Sequence, residues 1–250
     1  MRKAFLKKWK LYLMEALGLG IFMISSCFFA GLFESDGSSV HQKISDPFVR
    51  LVLMGIMMGL TALFIFYSPA TSPSGSHINP AVTITFLRLG RIGGWDAFFY
   101  IIFQLAGGTL AVFLMAVLMN DMLTAPPVNS VVTVPLQGSL NAAVTEFSVA
   151  FIMMTVILFT SYINKLSRYT KIIAACLVCC FVVLAGPVSG FGMNPARTIA
   201  SALPSDIWTD WWIYIFIPIG GMLTAAEVYL SVTNENGLIH SKFIGGRVNN

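Results

Sequence analysis

The chain has 250 residues, of which 56% are hydrophobic and only 10% are charged, and its formal net charge is +4. A soluble domain carries roughly 25% charged residues because its surface faces water. The composition therefore excludes a soluble enzyme, a disordered tail and a secreted module held by disulfides. The 15 basic residues are too few for a nucleic-acid-binding surface, so the expected surroundings are a lipid bilayer.

Six apolar runs predict helices that cross a membrane. A hydrocarbon core of ~30 Å needs a helix of roughly 20 residues. The runs are Leu11–Phe33, Phe48–Tyr67, Ala97–Met119, Asn141–Ile163, Ile172–Ala185 and Trp211–Val232, and the fifth is the shortest. We therefore predict an all-α membrane protein with one domain over residues 11–232, between a basic N-terminal segment (1–10) and a tail (233–250).

The positions of Lys and Arg predict the orientation, because cytoplasmic loops carry an excess of positive charge. Twelve of the 15 lie at the N-terminus, after the second and fourth spans, or in the tail. The alternate loops hold Lys43 and Arg50, and Arg197 lies in an apolar stretch between the last two spans. Both termini are therefore predicted to be cytoplasmic. Because no long targeting extension precedes the first span, the expected location is a bacterial inner membrane.

The chain also contains an internal repeat. LMEALGLGIFMI resembles VTEFSVAFIMM, which aligns Glu15 with Glu146, and FQLAGG resembles FIPIGG, which aligns Gly107 with Gly220. Between these pairs, SGSHINPAVTI resembles SGFGMNPARTI. Three spans in each repeat place the second repeat upside down relative to the first. The predicted architecture is an inverted 3+3 repeat, with repeats over residues 11–119 and 141–232.

The two Asn-Pro-Ala motifs predict half-helices that enter the membrane without crossing it. Pro80–Leu89 and Pro195–Leu203 are too short to span. Proline at the first helical position, after an asparagine cap, is a signal for the start of a helix. The motifs consist of Asn79, Pro80 and Ala81, and of Asn194, Pro195 and Ala196. Inverted repeats bring the two helix N-termini together near the midplane. There their dipoles repel cations and protons, and the asparagine amides donate to a passing oxygen.

With these residues the chain resembles the aquaporin and aquaglyceroporin (major intrinsic protein) superfamily over residues 10–232, and SGFGMNPART resembles its bacterial and plant nodulin-like branch. The resemblance implies a six-span bundle with two half-helices, a pore in every protomer and a homotetramer. It also implies that Glu15 and Glu146 are structural, accepting hydrogen bonds from the backbone before the half-helices. Proton relay by these carboxyl groups is the less favoured alternative.

The resemblance further implies a second constriction formed by four positions. By spacing these are Arg197, Phe191 and Val182, with the fourth at Met58 or Gly59, because the loop before the first motif is one residue longer than in water-selective relatives. Water-selective relatives carry His where this chain has Val182, and an aromatic residue on the second span. We therefore expect a broad pore for water and small uncharged molecules, with glycerol, urea and neutral metalloid acids as candidates.

Two side chains near the motifs carry further expectations. An arginine among apolar spans costs at least about 2.5 kcal/mol at a helix centre, so Arg197 is expected to face a wet cavity and bond backbone carbonyls. His77 is expected to hold its loop in place, with a pH gate as the alternative.

Two other functions remain open from the residues alone. A secondary transporter also uses inverted repeats and broken helices, although no second intramembrane acid–base pair supports coupled transport here. A structural membrane protein with an occluded pore is the other alternative. No nucleophile and base, and no metal-ligand set, occur at useful spacing, so neither an enzyme nor a cofactor is indicated.

Overall fold

The structure is a computed structural model and describes residues 2–235. Its α-helices are α1 (Arg2–Glu34), α2 (Ser39–Lys43), α3 (Pro47–Tyr67), α4 (Pro80–Arg88), α5 (Gly94–Met119), α6 (Asp121–Thr124), α7 (Ser139–Tyr162), α8 (Thr170–Ser189), α9 (Pro195–Ser205) and α10 (Trp211–Glu235). Single 3-10 turns occur at Ser72–Ser74, Asn129–Val131 and Ser167–Tyr169. Most of the predicted tail (233–250) lies outside the described residues.

Six helices, α1, α3, α5, α7, α8 and α10, are long and apolar enough to cross a membrane, and two short helices begin at the Asn-Pro-Ala motifs. The predicted fold class is therefore confirmed. The outer surface exposes large apolar side chains such as Val117, Leu110 and Leu184, as lipid-facing helices require.

Two helices are longer than their predicted spans. Helix α1 begins at Arg2, so segment 1–10 is helical and continuous with the first span, and its cytoplasmic location stays a prediction. Helix α8 continues through Pro187 to Ser189 and ends where Gly190 adopts a left-handed φ of 75°. A proline in the last turn removes only one backbone donor, so the helix tolerates it there, and the fifth span is longer than its apolar run suggested.

Corresponding helices make corresponding contacts in the two repeats. Helix α1 packs on α5 within the first repeat and α7 packs on α10 within the second, whereas α3 packs on α8 across the boundary between the repeats. The half-helices also cross this boundary, because α4 contacts α10 and α9 contacts α5. Each half-helix is thus held by the last span of the opposite repeat.

Two tyrosines show the register of the last span in each repeat. The hydroxyl of Tyr100 donates to the carbonyl oxygen of Ser74, and that of Tyr214 donates to the carbonyl oxygen of Ser189, both at 2.7 Å. These bonds are equivalent in the two repeats, so positions in α5 and α10 correspond at a separation of 114 residues, as Tyr100 and Tyr214 do.

Glycine contacts support the same register. A Cβ placed on Gly107 would overlap the carbonyl of Ala16, the residue after Glu15. A Cβ on Gly221 would lie 2.6 Å from the carbonyl oxygen of Phe147, the residue after Glu146, whereas one on Gly220 would meet nothing within 4 Å. The sequence alignment of Gly107 with Gly220 is therefore wrong by one residue, and Gly107 corresponds to Gly221.

Candidate pore and its two constrictions

The irregular segments before the half-helices have the same unusual backbone in both repeats. Ser76 and Ile78 have φ values of 48° and 42°, and the corresponding Phe191 and Met193 both have 51°. Left-handed backbone is unfavourable for residues other than glycine, above all for a β-branched residue such as Ile78. These segments must therefore be held by strong contacts from outside.

Glu15 supplies those contacts in the first repeat. It is fully buried, and its Oε1 accepts hydrogen bonds from the Ser74 hydroxyl (2.6 Å) and the His77 backbone N–H (3.0 Å). Its Oε2 accepts from the Ile78 backbone N–H (2.6 Å) and the Gln104 side chain (2.8 Å). Irregular backbone at membrane depth needs such partners, because no water in the lipid supplies them.

Glu146 does the same in the second repeat. Its Oε1 accepts from the Ser189 hydroxyl (2.7 Å) and the Gly192 backbone N–H (2.8 Å), and its Oε2 accepts from the Met193 backbone N–H (2.5 Å). Both carboxylates thus bind loop backbone rather than one another. This geometry agrees with the structural role that the resemblance implies and gives proton relay no support.

Both motif asparagines cap their own half-helix. The Asn79 side-chain oxygen accepts from the Ala81 backbone N–H at 2.8 Å. That of Asn194 accepts from the backbone N–H groups of Ala196 (3.0 Å) and Arg197 (3.3 Å). The proline that follows each cap begins the helix, as predicted.

The same asparagines also join the two half-helices reciprocally. The Asn79 amide donates to the Met193 carbonyl oxygen at 2.9 Å, and the Asn194 amide donates to the Ile78 carbonyl oxygen at 2.7 Å. One of the two N–H groups on each amide is therefore engaged by protein, and one remains for a passing solute. Donation by the asparagine amides to a passing oxygen stays a prediction.

A cavity of ≈ 350 Å³ surrounds this junction. Lys171, Ala174 and Val178 in the first half of α8 line it, as do Phe191 in the irregular segment after α8 and both motif asparagines. Side chains four residues apart form its walls, namely Ala62 with Phe66, Met153 with Ile157, and Ala174 with Val178. These parts of the wall are apolar, and polar residues line the cavity at the half-helix termini and between the end of α7 and the start of α8.

Helix geometry favours Met58 over Gly59 for the predicted fourth position of the second constriction. Met58 is not itself a lining residue of the cavity, but it lies four residues before Ala62 and eight before Phe66, which do line it, and so shares their face of α3. A Cβ on Gly59 would lie 2.9 Å from Cβ of Cys179, so Gly59 faces α8. Gly59 is therefore the less favoured candidate for this position, and the absence of a side chain there allows close contact of α3 with α8.

Val182 lies on the corresponding face of α8. It follows Ala174 and Val178 at four-residue spacing and shares one buried cluster with Met58 and Phe191. Because side chains lean towards the N-terminus of their helix, Met58 and Val182 on these antiparallel helices lean towards each other. Three of the four predicted residues therefore form an apolar group.

Arg197 differs from its expected surroundings. Its side chain lines the cavity, and its buried Nη1 has no hydrogen-bond partner among the described residues, so the expected bonds to backbone carbonyls are absent at this atom. A buried donor without a partner is unfavourable in a dry site.

His77 is held firmly on the cavity wall. Its ring stacks on Phe86 at 4.9 Å between centroids and contacts the edge of Tyr100 at 5.2 Å. Its Nδ1 lies 3.1 Å from the Thr83 hydroxyl oxygen. These contacts agree with the expected role of holding the loop.

Sequence reasoning missed the cavity residues on the spans themselves, including Phe22, Phe66 and Lys171. Lys171 donates to the Phe66 carbonyl oxygen at 2.6 Å and lies 5.0 Å from the centre of the Tyr67 ring. The four-residue spacing from Met58 through Ala62 to Phe66 was the available signal for α3.

Comparison with known proteins gives one consistent result. Residues 3–229 match the family described as Major intrinsic protein. The chain is 35% identical over 188 residues to Aquaporin NIP1-2 of Arabidopsis thaliana, covering 74% of this chain and 64% of that protein. It is 34% identical over 199 residues to a probable NIP-type aquaporin of Nicotiana alata, covering 79% and 72%. The fold matches the aquaglyceroporin of Plasmodium falciparum with a TM-score of 0.76 and 17% identity, covering 91% of this chain and 97% of that one.

Proposed function

The chain belongs to the major intrinsic protein family, and from that premise we propose that it conducts water and small uncharged solutes passively through its own cavity. Aquaporins and aquaglyceroporins of this family are channels for water and small neutral solutes. The chain is therefore a channel protein and not an enzyme, as predicted from its sequence.

The observation that carries the proposal is the reciprocal bonding of Asn79 and Asn194. It holds two helix N-termini at one point of the cavity, and each terminus carries the equivalent of roughly +0.5 elementary charge. As in aquaporin-type channels generally, a cation or proton is repelled there while a neutral dipole is reoriented. The remaining amide N–H groups donate hydrogen bonds to the lone pairs of each passing oxygen.

The residues predicted for the second constriction support the proposal that solutes larger than water also pass. Met58, Val182 and Phe191 offer apolar surface, and the partly buried Arg197 on the cavity wall offers a guanidinium as hydrogen-bond donor. Such a site suits molecules with one hydrogen-bonding edge and one apolar edge, because each edge meets matching chemistry. Glycerol and urea fit this description, and neutral metalloid acids share their size and lack of charge.

We also propose a bacterial inner membrane, cytoplasmic termini and a homotetramer. The orientation is supported by the basic residues near the first helix and at Arg88, Arg91, Arg168 and Lys171, opposite the acidic loops at Glu34 and Asp36. The tetramer is supported by the family resemblance.

Stopped-flow light scattering on proteoliposomes tests the proposal. Vesicles are challenged with gradients of water, glycerol, urea and boric acid, with empty vesicles as the control. We expect fluxes above the control that follow the solute gradient and do not respond to imposed pH or sodium gradients. Uphill uptake driven by such a gradient would establish a transporter instead, and fluxes equal to those of empty vesicles would establish a non-conducting protein.

A further inference from the structure

Two buried threonines occupy the same position in the two repeats but have different partners. Thr83 and Thr198 each lie four residues after the motif asparagine, in the first turns of α4 and α9. The Thr83 hydroxyl oxygen lies 3.1 Å from Nδ1 of His77 and 3.2 Å from Nε2 of Gln104. The first repeat therefore satisfies its threonine from within.

The second repeat lacks both of these partners. The position of His77 is taken by Gly192, and in the register set by the tyrosines the position of Gln104 is taken by Pro218. Thr198 instead accepts a hydrogen bond from the hydroxyl of Thr133, with 3.2 Å between the oxygens. Thr133 is 2% exposed, so water does not compete for this bond.

Thr133 belongs to the inter-repeat segment (residues 125–138), which connects α6 to α7. This segment is fixed to the end of α8, because the backbone N–H groups of Leu136 and Gln137 donate to the Val188 carbonyl oxygen at 3.0 and 3.2 Å. Within the described part of the chain, the Thr133–Thr198 bond is the one side-chain hydrogen bond that the segment makes to α9.

The rest of the segment lies on α9 through apolar contact. Val128 and Val131 pack in one buried cluster with Ala196 and Ala200 of α9. Ser130, between them, has its hydroxyl buried without a partner among the described residues and a φ of 53°. Apolar packing sets no hydrogen-bond geometry, so the hydroxyl pair fixes where the segment meets the first turn of α9.

We propose that Thr133 is a positioning residue for the second constriction. Through Thr198 it fixes the turn of α9 that carries Arg197, the next residue along the chain, and so sets how far the guanidinium reaches into the cavity. Without this bond, the inter-repeat segment moves away from α9 and the constriction admits larger solutes. The inference deepens the proposed channel function and rests on it.

The test compares the ratio of glycerol to water permeability in proteoliposomes. Thr133→Val and Thr198→Val each remove the bond with little change of shape, and Thr133→Ser keeps a hydroxyl. Thr155→Val is a matched control, because the buried Thr155 hydroxyl has no partner in the described chain. A neutral hydrogen bond contributes roughly a two- to tenfold shift in an equilibrium. We expect the ratio of glycerol to water permeability to rise by that factor in Thr133→Val and in Thr198→Val. The double variant should show no further rise.

Thr133→Ser and Thr155→Val are expected to keep the wild-type ratio. A purely structural role would lower both fluxes together and leave the ratio unchanged, and that result in folded Thr133→Val protein would overturn the inference. If Thr133→Val does not fold, Thr198→Val decides by the same ratio. Wild-type fluxes equal to those of empty vesicles would instead refute the channel function itself, so the two failures are distinguishable.

Discussion

The adjacent glycines Gly220 and Gly221 in α10 are expected to respond oppositely to the same substitution. A Cβ on Gly221 would lie 2.6 Å from the Phe147 carbonyl oxygen and 3.2 Å from Cβ of Ala150, both on α7. A Cβ on Gly220 would meet nothing within 4 Å. Alanine at position 221 therefore requires α7 and α10 to separate by roughly 1 Å, because the nearest obstacle is backbone that cannot rotate away.

The magnitude follows from the difference between the two variants. Replacing a helical glycine by alanine gains about 1 kcal/mol of helix propensity, and both variants share this gain. Overpacking costs about 1–3 kcal/mol and applies only to Gly221→Ala. The free energy of unfolding of Gly221→Ala should thus lie about 1–3 kcal/mol below that of Gly220→Ala, which should equal or exceed the wild type.

Thermal unfolding of the purified protein in detergent measures this difference. At about 2–4 °C per kcal/mol for a chain of this size, the two midpoints should differ by several degrees. Gly107→Ala, at the position corresponding to Gly221, should also be destabilised. Equal midpoints for Gly220→Ala and Gly221→Ala would refute the reasoning, and a harmless Gly107→Ala would restore the alignment of Gly107 with Gly220.

Three further substitutions test the pore. Arg197→Ala should raise glycerol and urea flux relative to water while the midpoint of thermal unfolding stays unchanged, because it removes a donor that lines the cavity; an unaltered solute ranking in vesicle assays would contradict the assignment. Val182→His should narrow the constriction and favour water, so a rise of glycerol relative to water flux would show that Val182 lies elsewhere. Glu146→Gln replaces one of the two acceptor oxygens by an N–H₂ group that faces the backbone N–H of either Gly192 or Met193, and should lower the free energy of unfolding by about 1–3 kcal/mol; an unchanged midpoint would argue against the structural role.

Sequence was sufficient to predict a structural element where the physical cause of that element is local. The half-helices were predictable because an asparagine cap and a proline at the first helical position act within one turn. The spans were predictable because lipid imposes length and apolarity. The end of α8 was missed because the predicted apolar run stops at Ala185, whereas the helix continues through Pro187 to Ser189.

Sequence was insufficient where the surroundings of a residue depend on contact between two segments that are distant along the chain. Whether Met58 or Gly59 lines the pore depends on the contact of Gly59 with Cys179 on another helix. The partner of Thr198 lies 65 residues away in a segment outside both repeats. The free Nη1 of Arg197 likewise depends on which carbonyls approach it, and spacing along the chain does not report that.

The reciprocal asparagine bonds have a consequence for biogenesis. While a ribosome has delivered only the first repeat, the Asn79 amide and the Ile78 carbonyl have no counterpart, since both partners belong to chain still to be synthesised. Unpaired polar backbone is unfavourable inside a bilayer, so the first half-helix should settle in place only after the second has been inserted. The pore is therefore completed only after both repeats have been inserted. A chain truncated before residue 194 should be degraded by cellular quality control and should show no partial activity.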